Sequence, residues 1–134
     1  MGESLILETT FLIDLEREVV SGQEGRAHSF LGSHPTHKLH ITFTIAGELA
    51  SGLSMGDRAR WERFVAPFEV LGCTPDTSWE YGRVFRYLKE NGLQIGSNDL
   101  WIAASALAFE MCLVTRNEQH FRRVPGLEVV GYGA

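Results

Sequence analysis

The sequence lacks the features that mark membrane, secreted and generally basic nucleic-acid-coating proteins. It has no apolar run long enough to cross a bilayer and no basic, apolar and small-residue leader, so we expect neither a membrane span nor secretion. Its only cysteines, Cys73 and Cys112, can form one bridge at most and make no Cys-x-x-Cys pair, which favours a cytoplasmic protein with reduced thiols. The formal net charge of −5 argues against a protein that coats nucleic acids through general basicity.

Lysine is also scarce. Ten of the 12 cationic residues are arginine, because the only lysines are Lys38 and Lys89. Arginine is better suited than lysine to bidentate contacts with phosphate. An acidic balance does not exclude a nuclease, since carboxylates that hold metal ions make such a site acidic until the metal binds.

The hydrophobic pattern predicts a single α/β domain over residues 1–134. Short apolar runs alternate with amphipathic helices, which is typical of a parallel sheet covered by helices on both faces. We therefore expect a three-layer sandwich around a central, mainly parallel five-stranded sheet. The predicted strands are LILE (5–8), LHITF (39–43), FEVL (68–71), CLVT (112–115) and LEVVG (127–131). We also expect Thr44 and Ser97 to cap the helices that follow them.

Several carboxylates fall at one edge of this predicted sheet. Glu8 ends the first strand, Glu48 lies in the helix after the second, and Asp99 lies in the first turn of the helix that leads to the fourth. Asn117 and Glu118 follow the fourth strand. Ligands of parallel α/β sheets bind beyond the carboxyl ends of the strands. Acids that converge there repel one another unless a hard divalent cation such as Mg²⁺ or Mn²⁺ is bound.

Each acid taken singly also has an explanation in the fold. The charges of Glu48 and Asp99 suit the first turns of helices. Asp14, deeper in the first helix, can pair with an arginine. Because burying an unpaired carboxylate is unfavourable, both Glu8 and Asp14 need a partner, either an arginine or a metal ion. It is the convergence of four carboxylates from distant segments that favours the metal.

Four segments resemble the motifs of PIN-domain ribonucleases. They are, in order, LETTFLID, ITFTIAGELASG, IGSNDLWIAASAL and LVTRNEQHFRRVPGLEVV. Their order and spacing are similar to the family's over nearly the whole chain, and the size matches the VapC-type toxins of bacterial toxin–antitoxin pairs. The resemblance implies a PIN-like fold, metal-dependent endoribonuclease activity with Mg²⁺ or Mn²⁺, an RNA substrate, a small VapB-like antitoxin partner and a homodimer.

The resemblance also implies a role for each polar residue at the sheet edge. The implied set is the catalytic Glu8, Glu48 and Asp99, the metal ligands Glu8, Asp99 and Asn117, the supporting Asp14, Thr10 and Glu118, and the phosphate-binding Arg116. Glu8 stands where the family usually has Asp, and Asn117 stands where many members have Asp. These departures leave open a second interpretation, a PIN-fold protein with weak or no catalysis that acts by binding RNA or a partner.

Two other interpretations are less well supported. His34, His37 and His40 form an H-x-x-H-x-x-H string, which can indicate zinc. The string enters a strand, where three-residue spacing does not bring imidazoles together, so solvent-exposed histidines are favoured. A response-regulator-like receiver needs an Asp at the end of the central strand and a Lys after a later one, and FEVLGC and CLVTRN offer neither.

Overall fold

A computed structural model describes residues 3–133 of the chain. These residues form strands and helices that alternate along most of the sequence. The strands are β1 Ser4–Leu7, β2 Lys38–Thr42, β3 Glu69–Leu71, β4 Cys112–Val114 and β5 Val129–Val130. The helices are α1 Thr9–Ser21, α2 Arg26–Ser33, α3 Phe43–Ala50, α4 Arg58–Val65, α5 Pro75–Glu90, α6 Ser97–Ala108 and α7 Glu118–Phe121.

All five strands pair in parallel, in the order β3-β2-β1-β4-β5. This confirms the predicted α/β fold with its central five-stranded sheet. The chain leaves β1 toward β2 and β3 on one side and returns to β4 and β5 on the other. The strand order therefore reverses between β1 and β4, which is where ligands of such sheets bind.

Burial explains why the strands have nearly continuous apolar sequences. Ile6 and Leu7 of β1 and Leu113 and Val114 of β4 are fully buried, because helices cover both faces of the sheet. Helix α6 is apolar on almost every side and packs against α5, so it forms part of the interior rather than a surface layer. This rigid centre places the start of α6 at the edge where β1 and β4 end.

Both predicted helix caps are wrong, by two residues and by one. Thr42, not Thr44, caps α3, and its hydroxyl accepts a hydrogen bond from the Ile45 N–H at 3.2 Å. Gly96, not Ser97, precedes α6, and Ser97 is its first helical residue. The reason for the first error is that β2 ends directly in the cap, since Thr42 keeps an extended backbone with ψ of 165°.

The three histidines of the string do not all come together. His40 lies in β2, only 4% exposed, with its Nε2 3.2 Å from the Glu69 carboxylate on β3. The expectation of exposed side chains is therefore wrong for His40. His34 stacks on Phe30, and the ring of His37 lies edge-on to that of His34 with the centroids 4.8 Å apart. The expectation that this spacing keeps the imidazoles apart is therefore wrong for His34 and His37.

No helix within residues 3–133 is both long enough and apolar enough to span a bilayer.

Candidate active site

Glu8 lies directly after β1 and is 3% exposed. Its Oε1 accepts hydrogen bonds from the hydroxyls of Thr10 at 2.6 Å and Thr115 at 2.5 Å. Its Oε2 accepts from the backbone N–H of Thr10 at 3.2 Å. Because β1 and β4 pair in register, the residue after each strand, Glu8 and Thr115, becomes a neighbour of the other. Thr115 is absent from the predicted set, although the predicted strands LILE and CLVT both end on a polar residue, Glu8 and Thr115, at the same edge of the sheet.

The surroundings of Glu8 disfavour the negative charge of its carboxylate. Burial raises the pKa of Glu8 above its ordinary value, although the hydrogen bonds from Thr10 and Thr115 favour the charged form. The negative charge of Asp99 raises the pKa of Glu8 further. The two carboxylates are thus close enough to repel each other, and a cation beside them would relieve both effects.

The same two hydroxyls fix the loop that follows β4. Thr10 Oγ1 accepts a hydrogen bond from the Arg116 N–H at 3.0 Å, and Thr115 Oγ1 accepts from the Asn117 N–H at 3.0 Å. Each hydroxyl therefore accepts from the backbone while it donates to Glu8. Asn117 is exposed, and its side chain makes no hydrogen bond within residues 3–133. Its amide can therefore turn toward a ligand.

Glu48, on α3, is held between the segments that carry the other two acids. Thr9, which follows Glu8, donates its hydroxyl hydrogen to Glu48 Oε1 at 2.6 Å. Asn98, which precedes Asp99, donates to Glu48 Oε2 at a longer 3.5 Å. The structure therefore brings all three predicted catalytic acids to one edge, through two contacts that sequence analysis did not identify.

Asp99 has a histidine partner. Its Oδ2 lies 2.8 Å from Nε2 of His120 on α7, and the two side chains are 33% and 32% exposed. This contact joins side chains on two different helices, and we find no local sequence pattern that would have indicated it.

Asp14 pairs with an arginine rather than standing unpartnered. Arg116 Nη1 donates to Asp14 Oδ1 at 2.8 Å, and the Tyr132 hydroxyl donates to Oδ2 at 2.5 Å. Burial raises the pKa of Tyr132, and its hydrogen bond to Asp14 raises it further, so the hydroxyl remains a donor. Glu118 likewise binds an arginine, since Arg122 Nη2 lies 3.0 Å from its Oε1.

The acids at this edge fit a hard cation in an open site. Within residues 3–133, no three His, Cys, Asp or Glu side chains are arranged to hold a metal ion, so a closed protein cage is not formed. Mg²⁺ typically binds through one or two carboxylates and keeps several waters, which agrees with a pair of acids. Burial, and to a lesser extent the charge of Asp99, raise the pKa of Glu8, so a cation at this edge would favour the charged form of Glu8.

The chain is similar to known proteins over most of its length. Residues 5–127 match the family described as PIN domain. The chain is 32% identical over 92 residues to ribonuclease VapC2 of Rickettsia felis, an alignment covering 65% of this chain and 69% of the relative.

Solved structures extend the similarity to the fold. VapBC-1 from nontypeable Haemophilus influenzae matches with a TM-score of 0.75 and 26% identity, covering 96% of this chain and 98% of that chain. VapBC2 from Rickettsia felis, bound to a DNA fragment from their promoter, matches with a TM-score of 0.82 and 24% identity, covering 97% and 99%. At that lower identity the likeness concerns the fold alone.

Proposed function

The chain belongs to the PIN-domain family, and from this premise we propose that it is a metal-dependent endoribonuclease, the toxin of a type II toxin–antitoxin pair. One observation carries the proposal. The like charges of Glu8 and Asp99 act on each other at the edge where the strand order reverses, and Glu48 is hydrogen-bonded to the segments that carry them. The relatedness to a VapC ribonuclease supports the same activity.

Each side chain of the site has its own role in the proposed cleavage. Glu8 and Asp99 hold Mg²⁺ or Mn²⁺, and Asn117 offers a neutral oxygen from the loop after β4. When bound, the ion lowers the pKa of a water molecule and offsets charge that develops on the phosphate. Thr10 keeps the Glu8 carboxylate oriented. Glu48, held by the Thr9 hydroxyl, orients the attacking water or accepts its proton.

The remaining predicted residues support this centre from its rim. Arg116 stays our proposed phosphate contact, with its guanidinium held by Asp14. Asp14 in turn is anchored by Tyr132, so the pair has a defined position. Glu118 acts through Arg122, because that ion pair fixes the short helix α7.

Cleavage of a structured RNA by the purified chain tests the proposal. We expect cleavage with Mg²⁺ or Mn²⁺, none with EDTA, and a loss of about hundredfold or more in Asp99→Asn, which retains its shape but loses charge. Asp76→Asn, on α5, makes the same chemical change outside the site and should leave the rate unchanged. Strong cleavage in EDTA would contradict the mechanism.

A second candidate function is binding without catalysis. Glu8 in place of the family's usual Asp, and Asn117 in place of a common Asp, favour it. The same assay separates the two candidates. Tight RNA binding by a folded protein that cleaves with neither Mg²⁺ nor Mn²⁺ would support the binding protein.

We also propose a small antitoxin as a partner, by analogy with the VapBC structures to which the fold is similar. An apolar groove of about 450 Å³ between α1 and α4 supports a bound partner. Val19 and Val20 on its wall are 60% and 69% exposed. Co-expression with the product of a neighbouring reading frame should yield a complex with suppressed cleavage, and Val20→Asp should weaken it.

A homodimer is our proposal for the chain by itself. Exposed aromatic side chains on α5, Trp79 at 65% and Phe85 at 46%, support association with a second copy. Light scattering should then give about twice the 15.0 kDa of one chain. A mass of one chain at all concentrations would contradict the dimer.

A further inference from the structure

A polar groove of about 570 Å³ runs along α7 beside the candidate active site. Its walls are formed by Arg116, Asn117, Glu118, Gln119, His120 and Arg123. His120 joins the groove to the site, because its Nε2 contacts Asp99 at 2.8 Å. The volume lies within the range of ligand sites, and the lining is mainly amide and cationic rather than apolar.

The arginines of this region differ in how their charge is compensated. Arg116 faces Asp14 at 2.8 Å, and Arg122 faces Glu118 at 3.0 Å. Arg123 has no carboxylate within salt-bridge distance among residues 3–133. Its Nη1 donates only to the backbone carbonyl of Gln94, at 3.2 Å. A guanidinium whose partner is neutral keeps its full positive charge and its remaining donors for an anion.

We infer that this groove binds the phosphate backbone of the RNA strand next to the scissile bond, with Arg123 as a phosphate-binding residue. The inference rests on the proposed function and extends it from Arg116, the phosphate contact named from the sequence, to Arg123 and the groove beside it. The Gln119 amide beside Arg123 can donate to a phosphate or ribose oxygen. Because aromatic side chains other than His120 are missing from the described walls, the groove suits the backbone rather than stacked bases.

Binding of a short, fluorescently labelled single-stranded RNA to the full chain tests the inference. The measurement is made in EDTA across a range of salt concentrations, so that it does not depend on metal-dependent cleavage. Each phosphate contact to a single strand contributes about 0.7 to the slope of log affinity against log salt. Arg123→Gln should therefore lower that slope by about 0.7 and weaken binding about fivefold at about 0.1 M salt.

Two further variants make the test specific. Arg123→Lys keeps the charge and should recover most of the slope. Arg63→Gln removes the same charge from the apolar groove between α1 and α4, and should change binding much less. Equal melting temperatures would show that Arg123→Gln acts locally, as expected for an exposed side chain.

Three outcomes would overturn the inference: an unchanged slope in Arg123→Gln, an equal loss in Arg63→Gln, which would indicate a net-charge effect, or no RNA binding by the wild type. The proposed function fails separately. If the wild-type protein binds RNA through Arg123 but does not cleave it with Mg²⁺ or Mn²⁺, the result would support the proposed groove and contradict the proposed nuclease activity.

Discussion

Glu8 and Glu18 lie at opposite ends of α1, and several donors hold each carboxylate, yet their pKa values move in opposite directions. For Glu8, burial prevails and raises the pKa. For Glu18, burial also opposes the charge, but hydrogen bonds from His28, Gly25 and Ala27 prevail and lower the pKa from 4.5 to about 2. Glu8 is more deeply buried than Glu18, so burial, the kind of donor and the surrounding charge together account for the difference.

The donors to Glu18 are the backbone amides at the start of α2. The N–H groups of Gly25, Ala27 and His28 lie 2.8, 3.0 and 3.0 Å from its carboxylate oxygens, and His28 Nδ1 lies at 2.6 Å. Gly25 has no side chain with which to cap α2, and Glu18 supplies the cap from the preceding helix. A Cβ at residue 25 would lie 2.9 Å from Glu18 Oε2, so glycine leaves the room for this contact.

Glu8 has a different environment. Two of its donors are hydroxyls, and a second carboxylate, that of Asp99, acts on it. Three helix-start amides compensate the charge of Glu18. Glu8 accepts one such amide, from Thr10 at the start of α1, and has the carboxylate of Asp99 nearby. The fold therefore compensates the charge of Glu18 more completely than that of Glu8.

The largest expected effect is on catalysis. Glu8→Gln keeps the side-chain length and removes the charge, so it should lower the rate of RNA cleavage about hundredfold or more. Without metal, its melting temperature should be unchanged or higher, because burying a neutral amide costs less free energy than burying a carboxylate. Single-turnover cleavage and thermal melts measure the two effects. Equal metal affinity and rate in the variant and the wild type would show that Glu8 is not a ligand.

The matched change at the other end of α1 should act on stability instead. Glu18→Gln replaces charge-assisted hydrogen bonds at a side chain that is 13% exposed, and we expect a loss of about 2 kcal/mol in the free energy of unfolding. Denaturant unfolding at neutral pH measures it. Cleavage by the folded variant should stay within about twofold of the wild type. A loss of activity without a loss of stability would reverse the roles assigned to the two glutamates.

Low pH should weaken the hydrogen bonds that join Glu18 to the start of α2. The pKa of Glu18 is lower in the folded state than its ordinary value of 4.5, so its contribution is complete above pH 4.5 and is lost as the pH falls toward about 2. After allowance for solvent screening, we expect the wild type to lose about 1–2 kcal/mol more than Glu18→Gln over that window. Urea unfolding at several pH values compares them. Parallel curves would mean that the charge of Glu18 does not stabilise the fold.

The smallest expected effect concerns the length of the first acid. Glu8→Asp keeps the charge, but the hydroxyls of Thr10 and Thr115 contact the longer side chain at 2.6 and 2.5 Å. The shorter acid should leave a gap there and lower the cleavage rate by about tenfold or less. Titration with Mn²⁺ separates weaker metal binding from slower chemistry. A rate equal to or above the wild type would show that the site does not depend on the longer acid.

Local sequence patterns were sufficient for the architecture. Apolar runs such as Leu5–Leu7 and the apolar helix α6 predict buried elements, because residues covered on every side must be apolar whatever their neighbours are. The ends of elements were less certain, as Thr44 and Ser97 show, because several polar residues near a boundary can cap a helix and packing selects among them. The positions of Glu8, Glu48 and Asp99 at one edge follow from the parallel sheet.

The partners of those side chains were decided only by the tertiary structure. Asp14 pairs with Arg116 and Tyr132, and Asp99 pairs with His120, through contacts that span from 21 to 118 positions of sequence. A periodic pattern reports which face of an element is buried, but it does not report which side chain of another element meets that face. That depends on strand order, register and helix placement together, which are properties of the folded chain. The sequence by itself therefore determined the sheet and the edge where the acids gather, and the fold decided which charges are compensated there and which, like that of Arg123, remain available.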